Sequence, residues 1–371
     1  MFAGSIVKPG FNPLAAQTPT YIYNLFTWGQ NNYGQLGLGN ITNYSSPKQI
    51  GSGYWSIVNA GWFYSSAIKT DGTLWTWGQN PDGQLGQGNT TSLSSPKQVG
   101  SLTNWLTVSS GYSHVLAVKT DGTLWSWGNN DSGQLGLGNT TYYSSPKQVG
   151  ALANWSQVSA GYRFSVGIKT DGTLWSWGNN ASGKLGLGNL TAYSSPKQIG
   201  TLTSWRSIST TKNGSSVIAV QSNNTLWSWG NNTLGTLGTN NTINYSSPKQ
   251  VGALTNWSTI DVCQSAAAIK TNGTLWTWGY NNSGQLGLGF VTYASSSPAQ
   301  VGALTDWLNV SASSYFMVAT KTSGALWSWG KNNFGQLGLG NTTNYSSPKQ
   351  IGAVSTWLNI SAGYAHTLTK G

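Results

Sequence analysis

Apolar and polar positions alternate along this chain in short runs, and the runs recur as blocks. Trp105-Leu106-Thr107-Val108-Ser109 alternates, turns at Gly111-Tyr112-Ser113, and continues as His114-Val115-Leu116-Ala117-Val118-Lys119. A period of two predicts two antiparallel strands. Thr120-Asp121-Gly122 predicts a tight hairpin after them, because Asp-Gly tolerates the positive φ such turns demand. A third strand is expected over 123–127, a Gly/Asn-rich loop over 128–138, and a fourth strand from Pro146-Lys147-Gln148-Val149. Proline lacks a ladder donor, so that last strand belongs at an outer edge, where the adjacent lysine discourages edge-to-edge pairing.

A hexapeptide in the third strand sets the longer period. Thr73-Leu74-Trp75-Thr76-Trp77-Gly78 recurs at 123–128, 173–178, 225–230 and 274–279, with one change at 325–330 and more loosely at 24–29. The Trp-Gly pairs start at 28, 77, 127, 177, 229, 278 and 329, at intervals of 49 to 52 residues. So regular a period means one supersecondary unit stacked on itself. Trp75 and Trp77 leave the same face of a strand, so the neighbouring unit must cover two large rings. Seven units of four antiparallel strands predict an all-β fold, a seven-bladed β-propeller. The N-terminal copy enters at its third strand, and residues 357–370 supply the missing first two. The two ends are therefore expected to build one composite blade that closes the ring over 21–371. Residues 1–20 hold Pro9, Gly10, Pro13 and Pro19 without periodicity, and read as an extended arm whose functional use would be docking on another protein.

These residues also carry a family resemblance. The pattern Gly-Tyr-x-His-x-Leu-Ala, Asp-Gly-x-Leu-x-x-Trp-Gly-x-Asn, Gly-Gln-Leu-Gly-Leu-Gly and Pro-x-x-Val resembles the repeat of the regulator of chromosome condensation family, over about 350 of the 371 residues. The resemblance implies a seven-bladed propeller, in agreement with the count above. It implies three kinds of activity: nucleotide exchange on a small nuclear GTPase, ultraviolet sensing by stacked tryptophans in a plant receptor, and tight protein binding by an aromatic propeller face, as in a bacterial β-lactamase inhibitor. The first is expected to need acidic contacts, which a chain without Glu supplies poorly. For the second, only Gly61-Trp62 matches the receptor's repeat, and Phe63 replaces its Arg. The third, as a mode, fits.

Composition narrows the chemistry. There are 21 Trp, 25 charged residues and one cysteine, Cys263, which sits in an apolar strand and reads as a buried, inert thiol. The net charge of +11 suggests a polyanion partner until the lysines are placed. Six lie in Ser-Ser-Pro-Lys-Gln or its equivalent (Lys48, Lys97, Lys147, Lys197, Lys249, Lys349), and six are read as ending an inner strand (Lys69, Lys119, Lys169, Lys270, Lys321, Lys370). They are spread in rings, so they read first as solvated edge and turn lysines and second as a basic ring for an acidic surface polymer; nucleic acid is not the expected partner. Both histidines, His114 and His366, fall at one repeat position and resemble a structural hydrogen-bonding residue of the family. Of the seven Asp, Asp71, Asp121 and Asp171 are turn residues, and Asp82, Asp131, Asp261 and Asp306 are scattered. No paired carboxylates, metal-ligand spacing or nucleophile-base pair emerges, so neither a cofactor nor an enzyme is expected. The glycine-rich runs recur without a following helical pattern, which makes them turns rather than phosphate loops. Met1–Lys8 lacks the features of a secretory signal, and no apolar run is long enough to span a membrane.

The copies differ most in the turn after the first strand. It reads Trp62-Phe63-Tyr64, Tyr112-Ser113-His114, Tyr162-Arg163-Phe164, Lys212-Asn213-Gly214, Gln264-Ser265, Ser314-Tyr315-Phe316 and Tyr364-Ala365-His366. Such turns share one propeller face, and aromatics with Arg are the usual anchors of protein recognition. The candidate binding residues are Trp62, Phe63, Tyr64, Tyr112, Tyr162, Arg163, Phe164, Tyr315, Phe316 and Tyr364. The expected function is a non-enzymatic scaffold binding a protein, either a virion component or a host surface receptor. Near-identical repeats and Asn/Ser/Thr/Gly-rich loops suggest a virion or tail-associated protein of a bacterial virus, for attachment, decoration or host recognition. The alternative is a soluble, cytoplasmic bacterial regulator or inhibitor.

Overall fold

Asp121 shows how each hairpin closes. Its carboxylate accepts bonds from the Thr123 amide and hydroxyl at 2.9 and 2.7 Å, and the Thr123 hydroxyl accepts the Trp125 indole N–H at 3.0 Å. The Thr73 and Thr173 hydroxyls do the same for Asp71 and Asp171, and each threonine's bond holds its own aspartate below the usual range. Gly122 is required there: its φ is +79°, and a Cβ would stand 2.5 Å from the Ala153 carbonyl.

The computed structural model describes residues 23–354 and 356–371, so the arm expected over 1–20 lies outside the described residues. Seven four-stranded antiparallel sheets form the molecule, and η1, Ala181–Gly183, is the sole helical turn among the described residues. Blade 1 runs from the innermost strand outwards as Trp55–Ala60, Tyr64–Lys69, Leu74–Gly78 and Leu93–Gln98. Blades 2 to 6 repeat this order from Trp105, Trp155, Trp205, Trp257 and Trp307. Blade 7 is the composite expected from the ends: Asn359–Ala362 innermost, then His366–Lys370, Leu25–Gly29 and Tyr44–Ile50. Its seam is a continuous ladder, Leu25 facing Lys370 through Gly29 facing His366.

The core lies between blades. Leu116, Val118, Leu124 and Val149 of blade 2 meet Trp155, Ala160 and Trp177 of blade 3. Trp155 stands edge-on to both rings of the hexapeptide, 5.7 Å from Trp177 and 6.4 Å from Trp175. The neighbouring unit does cover this face, but unequally: the second tryptophan of each hexapeptide is fully buried, and the first is half-buried at the rim. Each buried indole also donates to a backbone carbonyl of the preceding blade, as Trp177 does to Gln134, and all seven such bonds measure 2.8–3.0 Å. The glycine-rich run is the other half of that contact. A Cβ on Gly136 would stand 2.8 Å from the Trp177 indole nitrogen, so the ring packs where only glycine leaves room.

A second ring surrounds the axis. Asn59, Ser109, Ser159, Ser209, Asp261, Ser311 and Ser361 sit one residue before the end of the seven innermost strands. Each accepts the last amide of the next blade's inner strand, at 2.8–3.2 Å, and Ser361 to Ala60 completes the circle. Asp261, scattered when read along the chain, is a member of this ring.

The lysines divide differently from the sequence reading. The six on outermost strands are exposed. Of those ending inner strands, Lys69, Lys119, Lys169, Lys270 and Lys321 lie over the tryptophan pair of their own blade, 3.6–4.8 Å from the nearer ring. Burial holds Lys119, Lys169 and Lys270 below the ordinary lysine pKa, so these are packing residues and not solvated ones. Lys370 also ends its strand, but one position out of register with those five. In blade 3 Gln157 pairs with Ile168, and in blade 7 Asn359 pairs with Lys370, so Lys370 takes the isoleucine's place and Gly371 the lysine's. A shift of one residue sends a strand side chain to the opposite face. Lys370 accordingly reaches into blade 1 and donates to the Ser56 carbonyl at 2.8 Å.

Candidate protein-binding face

The first-to-second turns converge on one face and are tied to each other through their backbones. The amides of Trp62, Tyr112, Tyr162 and Tyr364 donate to the carbonyls of Gly111, Gly161, Thr211 and Trp62. These bonds fix the aromatic side chains into one arc. Tyr315 meets Tyr364 at 5.9 Å, Tyr364 meets Trp62 at 4.5 Å, Trp62 meets Tyr112 at 5.3 Å, and Tyr112 meets Tyr162 at 4.9 Å. Phe63 branches from it, 5.1 Å from Tyr364. Five adjacent blades (6, 7, 1, 2 and 3) thus share one connected run of rings. Arg163 is exposed at its end, stacked on Tyr162 and paired with Asp131 at 3.1 Å.

Three of the ten candidate residues are not on this surface. Tyr64, Phe164 and Phe316 are the first residues of their second strands and are fully buried. They pair with the glycine closing the third strand, and their rings turn into the space between blades. The Tyr64 hydroxyl donates to the His114 carbonyl at 2.7 Å, and burial raises its pKa far above the tyrosine range. The two histidines hold the same strand position. His114 contacts the Ser165 hydroxyl at 2.9 Å and His366 that of Ser65 at 3.2 Å, each in the next blade, and burial pushes both rings down to about 3. Trp62 is largely covered by its aromatic neighbours, which leaves Phe63, Tyr112, Tyr162, Arg163, Tyr315 and Tyr364 presented.

The sequence reading missed several rings. Tyr33 lies 5.1 Å from Phe63, and Tyr280 extends the arc from Tyr315 at 6.3 Å to Tyr293 at 5.9 Å. Tyr33 comes from the third-to-fourth loop, where the other copies hold Asp82, Ser132, Ser182, Leu234, Ser283 and Phe334. Comparing copies at that second variable position would have found it.

Blade 4 interrupts the arc, and its Lys212 does something else. Its ammonium crosses the axis to the carbonyls of Ala362, at 2.9 Å, and Ala60. In blade 3 Lys184 stands where most copies have the loop glutamine. Gln35, Gln134 and Gln336 accept the amide two residues earlier through their side chains. Lysine has no acceptor, and Ser182 in the same loop takes a φ of +63°. Lys184 itself is buried, donates to the Tyr162 carbonyl at 3.1 Å, and is lowered to about 8 by burial and then by Arg163. Among the described residues no group of three His, Cys, Asp or Glu could hold a metal ion, and no helix is long and apolar enough to cross a membrane. Cys263 is buried against Asn213 and Ser314, and burial raises its pKa.

The regulator of chromosome condensation (RCC1) repeat matches seven times, over 24–68, 71–118, 121–168, 171–218, 223–267, 272–320 and 323–369. The chain belongs to the RCC1 repeat family. A second RCC1 repeat description matches at 55–84, 106–134, 155–184 and 307–336. No curated protein matches this RCC1 repeat chain in sequence. Among solved structures it is similar to human WBSCR16, with a TM-score of 0.85 at 23% identity, covering 95% of this chain and 99% of that one. It is also similar to Prp20p of Saccharomyces cerevisiae, with a TM-score of 0.82 at 20% identity, covering 94% of this chain and 91% of the other. A second yeast structure, RCC1 (Prp20) bound by Kap60, gives a TM-score of 0.83 at 18% identity over 100% and 94% of the two chains. These likenesses establish the propeller; at such identities they carry the fold and not the function.

Proposed function

We propose that this RCC1 repeat propeller is a non-enzymatic scaffold that binds a protein through the aromatic face of blades 6, 7, 1, 2 and 3. The observation that carries this reading is the connected run of rings, half-exposed except for the covered Trp62 that links them, built at the turn that differs most between copies. Rigid aromatic side chains give large contact area at small ordering cost, which is how recognition surfaces concentrate their affinity. Other propellers of similar fold bind proteins: Prp20p is described with binding to Gsp1p and histones, and with Kap60. The setting we favour is a virion or tail-associated protein of a bacterial virus, used for attachment, decoration or host recognition; a soluble bacterial regulator or inhibitor is the alternative. Repetition of near-identical units and the Asn/Ser/Thr/Gly-rich loops support the first.

The test starts from native source material. Sedimentation with mass spectrometry of co-migrating proteins identifies the partner, and migration with large particles in fixed stoichiometry supports the virion setting, whereas a small complex overturns it. Alanine at Phe63, Tyr112 and Tyr162 together is then expected to weaken binding of that partner by at least about 2 kcal/mol, some thirtyfold. Unchanged affinity in a folded triple variant would remove the aromatic face from the mechanism.

A further inference from the structure

Five blades provide a template for an ammonium site at the perimeter. Lys69, Lys119, Lys169, Lys270 and Lys321 each hold their ammonium 3.6–4.8 Å from the third-strand tryptophan ring and 4.9–5.3 Å from the first-strand one. Blade 4 fills the same position with Gln221. In blade 7 the position falls to Gly371, which brings no side chain. The aromatic pair is nevertheless kept, as Phe26 and Trp357, 5.1 Å apart and nearly perpendicular at 78°.

These two rings border a cavity of about 550 Å³ between blades 6 and 7, walled by Pro47, Leu339, Ile351 and Val354. Among the described residues its lining contains no charged side chain. The corresponding groove between blades 2 and 3 has Lys169 in its wall, and that between blades 4 and 5 has Lys249 and Lys270. The groove of blade 7 therefore has the rings, the apolar walls and the room, and lacks the cation that its equivalents supply from within.

We infer that the groove between blades 6 and 7 is a binding site for an alkylammonium group, presented as a lysine side chain by a partner protein. The ring faces attract the cation, while the apolar walls cover a four-carbon stem. The ammonium chemistry follows from the five resident lysines; only its source, a protein, rests on the proposed function. A neutral side chain of equal length keeps the stem contacts and loses the ring attraction, which separates this site from a merely greasy groove.

The test titrates N-acetyl-lysine methylamide and N-acetyl-norleucine methylamide into the full chain and follows the tryptophan indoles by NMR. The lysine amide is expected to bind about 3- to 30-fold more tightly than the norleucine amide and to perturb Trp357. Phe26→Leu should abolish that preference, and Phe26→Trp, which copies the residue of the other six blades, should increase it. Equal binding of the two amides, a preference that survives Phe26→Leu, or no response at Trp357 overturns the site. None of these substitutions touches the aromatic face, so failure here and failure of that face are read separately.

Discussion

The contacts between blades and the turns on the face share one period but were built under opposite demands. Between blades, the buried indole meets a backbone carbonyl seven times, within 2.8–3.0 Å each time. On the face, the second residue after the innermost strand is Trp62, Tyr112, Tyr162, Lys212, Gln264, Ser314 or Tyr364. A residue that must satisfy an identical neighbour in every blade has one solution. A residue that looks outward has many, so variation among copies within one chain separates framework from surface.

The strongest way to break the comparison is to hollow out one blade interface. Trp177→Ala removes a fully buried ring and leaves the Gln134 carbonyl without its donor, and should cost about 3–5 kcal/mol in urea unfolding. A smaller effect sharpens it through pH. Burial holds His114 down to about 3 against its ordinary 6.5. The unfolded chain takes up the proton first, so this contribution is complete above pH 6.5 and is lost as pH falls from there toward 3. At about pH 4.5 the loss is roughly 2–3 kcal/mol for this ring, and His114→Gln should flatten the stability profile by that amount, leaving the matching slope of His366. The smallest pair of effects contrasts the two regions directly. Ser109→Ala strands the Ala160 amide and should cost about 1–3 kcal/mol, whereas Tyr112→Ala on the face should cost under about 1 kcal/mol of stability. Equal costs at Ser109 and Tyr112 would erase the distinction.

Much of the framework could be read from the sequence because its signals are local. Asp121-Gly122 fixes a hairpin, Pro146 marks an edge, and the missing strands at one end reappear at the other. The ring of Ser109 and its equivalents was not legible, since a serine near a strand end looks alike whether it faces water or the next blade's amide. The lysines over tryptophan were misread for a similar reason: a charge on a sequence gives no sign that its stem lies across an indole. Tyr64, Phe164 and Phe316 follow the turn by one residue, and one residue on a strand separates a surface ring from a buried one. His114, which the resemblance placed at a structural position, stands in the same column and could have shown that this column points inward.

Lys212 gives the ring a spoke. Blade 4 lies across the axis from the junction of blades 7 and 1, and the ammonium ties it to Ala362 on one side of that junction and Ala60 on the other. A hoop of seven plates joined only at their edges can flatten into an oval; a strut from one wall to the opposite seam opposes that distortion. The aromatic turns ride on the same plates, so under the proposed function a partner would meet a surface whose shape is set before contact, and little of the association energy would go into arranging it.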